Sequence, residues 1–479
     1  MPLLSRINFM VHALRSRRVV TPHGEIDATV VIEDDIITAV HPNAHLASHI
    51  SHLPTEDLGT LALLPGLIDA HTHINEPGRT EWEGFATATR AAAAGGFTTV
   101  VDMPLNCLPE TTDERALELK RESARGKCTV DYALWGGCVD GNQHELKPLA
   151  LAGVAGFKSF LIYPGCDGFT EIDYENLELA APHLASTGLP LLVHAELAPT
   201  IDAAVARLNA SGADWRRYAT YLASRPDQAE LEAIAMMIEM CRTHRFRLHI
   251  VHLATAQALP MIRAAKAEGL QLSVETCPHY LHCCAEEISD GATLFKCAPP
   301  IRSAANRELL WTALADGTID LLATDHSPCP PHMKRLDPPE PGAECGRFDE
   351  AWGGIASLST ALPILWTDCV RRGFSLSQLA KWTSAAPAKL AGLSTFVGSI
   401  EPGKHANLVA FDPEERFTVT PERLHYRHKI SPYMGERLHG IVGSTWLRGT
   451  RVFDQRSGQA EFPAQPHGRE YALSCSLNS

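Results

Sequence analysis

No apolar run in this chain of 479 residues reaches the roughly 18 residues that span a bilayer, so no transmembrane helix is expected. No CxxC pair occurs, which speaks against a zinc ribbon. The thirteen cysteines are odd in number, irregularly spaced and not preceded by a secretory signal, so they read as reduced thiols rather than a disulfide framework. There is no internal repeat and no low-complexity tract. Basic charge is also short: 42 Lys and Arg face 56 Asp and Glu, and a net charge of −14 disfavours a nucleic-acid surface. The first 24 residues lack acids and carry Arg6, Arg15, Arg17 and Arg18, as a transit peptide would. Yet Arg18-Val19-Val20-Thr21-Pro22 already reads as strand and turn, leaving too short a leader, so a cytoplasmic location is expected.

What is present is an ordinary globular composition, 45% hydrophobic and 20% charged, at a length that suits one large domain with a smaller one. Residues 18–60 read as short β-strands joined by turns. From about 63 strands alternate with helices. Strands are expected at 62–70, 97–103, 129–135, 154–160, 190–195, 246–252, 271–276 and 319–325. Helices are expected at 86–94, 114–125, 174–186, 228–243, 256–267 and 304–315. Two more, 356–372 and 377–391, precede a return to β texture. Eight strands, each followed by helical material, is the count of an α/β fold of the TIM (β/α)8 barrel type. The expected division is a barrel over 63–398, a small β-sandwich built from 1–62 and 399–460, and a tail or arm over 461–479. The proline-rich stretch 328–346 is expected as a lid or wall over the site.

Chemistry-bearing residues fall at strand ends. His71-Thr72-His73 closes an apolar run, and side chains two apart on a strand share a face, so both imidazoles can grip one ion. Alone, such a pair in a chain with 23 histidines is more often structural. However, the fourth strand carries Lys158, the fifth ends in His194, the sixth in His252 and the eighth in Asp325. His249, three residues before His252, is expected to face the other way. Each has a bland alternative: a histidine bonded to a loop, an aspartate capping a turn, a snorkelling lysine. Coincidence at five of eight strand ends, on the rim where such barrels carry reacting groups, favours a metal site.

Lysine as an ammonium cannot ligate a cation, but burial beside a dication favours the neutral amine. That amine can add carbon dioxide, giving a carbamate whose two oxygens can bridge two metals. Two ions about 3.5–4 Å apart share a hydroxide nucleophile and polarise a carbonyl.

The motifs DAHTH, GFKSF, LLVHAE, HIVHLAT and ATDHS, in this order, resemble the cyclic amidohydrolases of the binuclear amidohydrolase superfamily, which includes dihydroorotases, hydantoinases, dihydropyrimidinases and allantoinases. The resemblance runs over roughly 18–455. It implies a distorted TIM barrel with a β-sandwich from both ends. It also implies His71, His73 and Asp325 on one metal, His194 and His252 on the other, and an N6-carboxylated Lys158 bridging them. Imidazole and carboxylate ligands suit zinc, and iron, cobalt or manganese also fit such a set. The family's usual state implies a homo-oligomer, dimer or tetramer, acting on a small molecule.

Within this family the segments HINEPGRTEWEGF, ETCPHYL, FKCAPPIR and AWGGIASL are most similar to the allantoinase branch. Dihydroorotases place an arginine where this chain has Asn75, so a substrate carboxylate would lack its bidentate partner. The reaction this implies is hydrolysis of the ring amide of allantoin to allantoate. Asp325 would move the proton and Tyr163 would donate to the developing oxyanion. Asn75 is a candidate substrate residue, and so are the backbones around Ala298 and Gly353. Tyr163 is also the residue that favours the alternative, a hydantoinase or dihydropyrimidinase, because those relatives carry a tyrosine there. A further alternative is a non-catalytic scaffold, against which stand six intact ligand positions.

Overall fold

The computed structural model describes residues 11–45, 52–337 and 344–473. Arg6 of the leader-like stretch, the middle of the 328–346 loop and the last six residues of the expected tail lie outside the described residues.

The two ends of the chain meet in one eight-stranded sheet. Val11–Thr21, Gly24–Glu33 and Ile36–Pro42 run antiparallel in sequence order. Ala62–Pro65 lies between Val11–Thr21 and Leu408–Thr418, so it joins the amino-terminal strands to the carboxyl-terminal ones, which continue through Arg437–Leu447 and Thr450–Asp454. Ala28, Val30 and Ile32 of Gly24–Glu33 pack beside Leu63, Leu408 and Trp446, while Thr29 and Val31 between them are buried too, so this part of the strand is covered on both faces.

The apolar run read as one strand over 62–70 is two. Ala62–Pro65 belongs to the outer sheet, while Leu67–Thr72 starts the parallel core by pairing with Phe97–Asp102. The switch falls at Gly66, where an added Cβ would stand 2.2 Å from the Thr98 hydroxyl oxygen. Both halves are buried throughout, so hydropathy shows no seam between them.

The core strands are parallel. Leu67–Thr72, Phe97–Asp102 and Asp131–Leu134 form one set, and Gly136–Gly137, Phe157–Phe160, Pro190–His194, Arg247–Ile250, Leu272–Thr276 and Leu321–Leu322 form another. The sets are stitched by Ala155 N donating to Leu134 O at 2.9 Å and by His73 N donating to His326 O at 2.8 Å. This is a TIM-barrel-like α/β fold. The eighth strand keeps only Leu321–Leu322, and the backbone turns to a positive φ at Asp325.

Helices cover the core, with some departures from expectation. Ala198–Ala210 and Tyr218–Ser224 are not among the expected helices. The first buries only Ile201 and Ala204 and has no side-chain cap, although Pro199 in its first turn and the spacing of Ile201, Ala204, Val205 and Leu208 are helix signals. The single helix expected over 377–391 is Leu376–Ala380, a π-helical turn Lys381–Ala385 and Ala386–Leu390. Pro387 has no N–H to give the preceding turn, which interrupts the regular ladder. The expected tail is an arm along the core: Tyr471 N donates to Tyr132 O at 2.7 Å, and Leu473 N to Gly153 O at 3.2 Å.

His282 joins the core to the outer sheet. Its Nδ1 is 2.6 Å from Asp368 and its Nε2 2.7 Å from Glu436. Burial alone would lower its pKa, but these two carboxylates raise it to about 9.

Candidate metal centre

The strand Leu67–Thr72 delivers His71, and His73 follows one residue past its end. Asp325 Oδ1 is 3.4 Å from His71 Nε2 and 3.5 Å from His73 Nε2. These three buried side chains offer one ligand atom each within 4.8 Å of one another, a spacing that can hold a metal ion. Beside them His194 Nδ1 faces His252 Nε2 at 3.0 Å, and the His71 and His252 rings are 5.5 Å apart. Lys158 Nζ is buried with no hydrogen-bond partner among the described residues. Burial pushes its pKa down to about 8, against the pull of Glu275 and Asp325.

Three of these histidines have one nitrogen tied from behind. His71 Nδ1 donates to Glu275 at 2.5 Å, and the other oxygen of Glu275 takes His249 Nε2 at 3.0 Å. His194 Nε2 donates to Glu196 at 2.8 Å, and Glu196 is clamped by Arg225. Asn106 lies 3.2 Å from His73 Nδ1. The inward nitrogens of His71 and His194 thereby keep their lone pairs for an ion, as carboxylate-backed metal histidines require. Burial lowers the pKa of His73 to about 4 and that of His252 well below the ordinary value, which keeps both rings neutral. Burial alone would raise Glu275, but the His71 and His249 rings hold it at about 2. Burial would likewise raise Asp325, and the surrounding histidines hold it well below the carboxylate range. A buried lysine with no partner and a set of neutral imidazoles facing a carboxylate fit divalent ions.

Asp69 locks the first strand to the eighth. It accepts Thr72 Oγ1 at 2.6 Å, Thr324 N at 2.9 Å and Thr324 Oγ1 at 2.5 Å. Backbone strain gathers here as well: Asn75, Asn106, His252 and Asp325 all have positive φ, between 37° and 67°.

Above the cluster opens a cavity of about 440 Å³, with His71, His73, His194, His252 and Asp325 at its floor. Tyr163, Arg225, Lys296, Ala298, Trp352 and Gly353 stand around it. Asn75 does not line it; its side chain is buried and donates to Pro328 O at 3.3 Å. Tyr163 lies at the rim, 52% exposed, with its hydroxyl donating to Asp167 at 2.5 Å. No described residue of the 328–346 loop lines the cavity; its buried Lys334 instead braces the segment that does, donating to the carbonyls of Trp352, at 3.0 Å, and Gly354. His249 does face away from the cavity, toward Ser273 and Glu275. Sequence reasoning missed Glu275, Glu196, Asp69, Asn106 and Lys296. The signal for the first three was there: an acid inside or just after a wholly apolar strand is buried and needs a partner.

A TIM-barrel-like fold whose strand ends gather histidines and an aspartate is that of a metal-dependent hydrolase, and the chain belongs to the amidohydrolase family, whose model matches residues 62–452. Within that family its similarity is to allantoinases. It is 48% identical to the allantoinase of Streptomyces avermitilis over 456 residues, covering 95% of this chain and 97% of that one. It is 43% identical to the allantoinase of Arabidopsis thaliana, covering 92% and 88%. Among solved structures, the L-hydantoinase (dihydropyrimidinase) from Arthrobacter aurescens aligns with a TM-score of 0.86 at 30% identity, covering 96% and 98%.

Proposed function

We propose that this chain hydrolyses the ring amide of allantoin to give allantoate, with two divalent metal ions, zinc by preference, at the floor of the cavity. One observation carries this reading: near-full-length similarity to allantoinases in a chain whose cavity floor gathers His71, His73, His194, His252 and Asp325. His71, His73 and Asp325 would hold one ion, His194 and His252 the other, and Lys158 as N6-carboxylysine would bridge them. The buried Lys158 amine, without a hydrogen-bond partner among the described residues, supports the carbamate, which would replace a cationic donor by an anionic oxygen ligand. Bound there, the ions would supply an activated water and polarise the ring carbonyl.

Asp325 moves the proton. Its Oδ1 faces His71, His73 and the Ser327 hydroxyl, so Oδ2 is the oxygen to take the proton from the attacking water and return it to the departing ring nitrogen. Backbone groups at Ala298 and Gly353 hold the ring amides, and Lys334 keeps that wall in place. Asn75 ties down the start of the 328–346 loop through Pro328 instead of touching substrate. Tyr163 donates to the developing oxyanion once its hydroxyl leaves Asp167.

The core is read as a closed, distorted (β/α)8 barrel starting at 67 rather than 63 and running to 398, supported by the bridge between Thr72 and His326. The outer sheet, which takes Ala62–Pro65 with it, is read as part of a sandwich with 399–460, and the described residues from 461 to 473 as an arm. The family resemblance supports a homo-oligomer, dimer or tetramer. The cysteines, all unpaired among the described residues, fit the cytoplasm.

The second reading, a hydantoinase or dihydropyrimidinase, is favoured by Tyr163 at the cavity rim. Turnover of allantoin, hydantoin, dihydrouracil and dihydroorotate by the metal-loaded protein separates the two. Allantoin should show the highest kcat/KM, and faster hydrolysis of hydantoin or dihydrouracil would overturn the assignment.

A further inference from the structure

At the opposite end of the core from the metal cluster lies a second cavity of about 490 Å³. It opens beneath the amino-terminal ends of the strands: Pro190 lines it, whereas His194 at the other end of the same strand lines the reaction cavity. Four residues of strand separate the two, about 13 Å. This volume is in the range of small-molecule sites.

Three cationic side chains enter its wall, Arg247, Lys381 and Lys389. The one acid there, Asp320, is already neutralised: it takes Lys266 Nζ at 2.5 Å and the Val274 N–H at 2.8 Å. Arg247 donates to the neutral carbonyl of Gly188 at 3.2 Å and has no ion pair among the described residues. Lys381 and Lys389 have no hydrogen bond or ion pair there either. A cationic surplus of this kind runs against the chain's net charge of −14. Both lysines are exposed, yet they and the half-buried Arg247 line one concavity rather than a convex surface. The wall holding Lys381 is the π-helical turn Lys381–Ala385, a conformation that recurs where helices are shaped for a ligand.

We propose that this basal pocket is a second ligand site, taking a small organic anion with a carboxylate or phosphate group. Arg247 binds the anion through its planar fork, and Lys381 and Lys389 close on it as point charges. Ser273 forms part of the same wall and is 2.8 Å from His249 Nδ1. With His249 Nε2–H committed to Glu275, that contact is a donation from the serine hydroxyl. The pocket therefore adjoins a hydrogen-bond path that ends on His71.

Calorimetric titration of the metal-loaded full chain with succinate, and separately with inorganic phosphate, tests the site without any substrate. At low ionic strength, at least one probe should bind with a single heat. K381Q/K389Q should weaken that binding about tenfold or more, since two charge-assisted contacts are lost, and leave turnover in the absence of the probe unchanged. Binding by neither probe, or binding that the double substitution leaves intact, would overturn the proposal; the latter result would put the anion at the metal cluster.

Discussion

Glu275 holds His71 by its Nδ1 at 2.5 Å although the two lie 204 residues apart in sequence, and its other oxygen holds His249 at 3.0 Å. The carboxylate thus fixes both the tautomer and the tilt of the first metal-facing imidazole. Glu275→Gln replaces one acceptor by a donor and removes the negative charge behind the ring. Metal affinity should fall about 10–100-fold, with turnover falling in parallel. Metal content after dialysis against a graded chelator reads this directly, and full retention would remove Glu275 from that role.

Lys158 is the more severe case. With its amine buried and partnerless, Lys158→Ala should cost bound metal and lower kcat by about a thousandfold or more, the scale on which two-ion sites act. Reactivation of stripped wild-type protein by metal should also accelerate with added bicarbonate, because the carbamate needs carbon dioxide. If Lys158→Ala kept both ions and normal turnover, the bridge would be ruled out.

Asp325→Asn should retain at least one metal ion while losing about 10²–10⁴-fold in kcat, the usual contribution of a positioned acid–base group. Metal analysis and steady-state rates on one preparation distinguish this from simple loss of the ion. Near-normal turnover would assign the proton transfer elsewhere.

The pH dependence of stability should carry the mark of His282. Its folded pKa, about 9, lies above the unfolded value near 6.5. Its contribution is therefore complete below about pH 6.5 and is lost as pH rises through 9. The interval corresponds to about 3 kcal/mol as an upper scale. Urea unfolding at pH 6.5 and 9.5 should show this loss in the wild type and a smaller one in His282→Gln. An identical slope in both would place the pH dependence in other groups.

The residues whose chemistry is local were readable in advance. His71, His73, His194, His252 and Asp325 stand at strand ends by simple alternation, and the fold brings them to one cavity floor. What sequence could not show was how the layer behind them is paired. Glu275 reads as one acid in VETC, and only the neighbouring strands reveal that it serves His71 and His249 together. Tyr163 was placed at the cavity by the resemblance to hydantoinases, but its present partner, Asp167, depends on the loop conformation. The helix Ala198–Ala210 is mostly solvated and was missed although Pro199 stands in its first turn, and the seam at Gly66 escaped because both sides of it are apolar.

That seam has a practical meaning. Ala62–Pro65 is hydrogen-bonded into the outer sheet, and a short way past Pro65 the same backbone has already presented His71 and His73. The sheet works as an anchor plate: a trimming that frees Ala62–Pro65 slackens the segment on which the ligands are mounted. Shortened forms of this protein designed around the core alone would thus be expected to leak metal before they lose their helices.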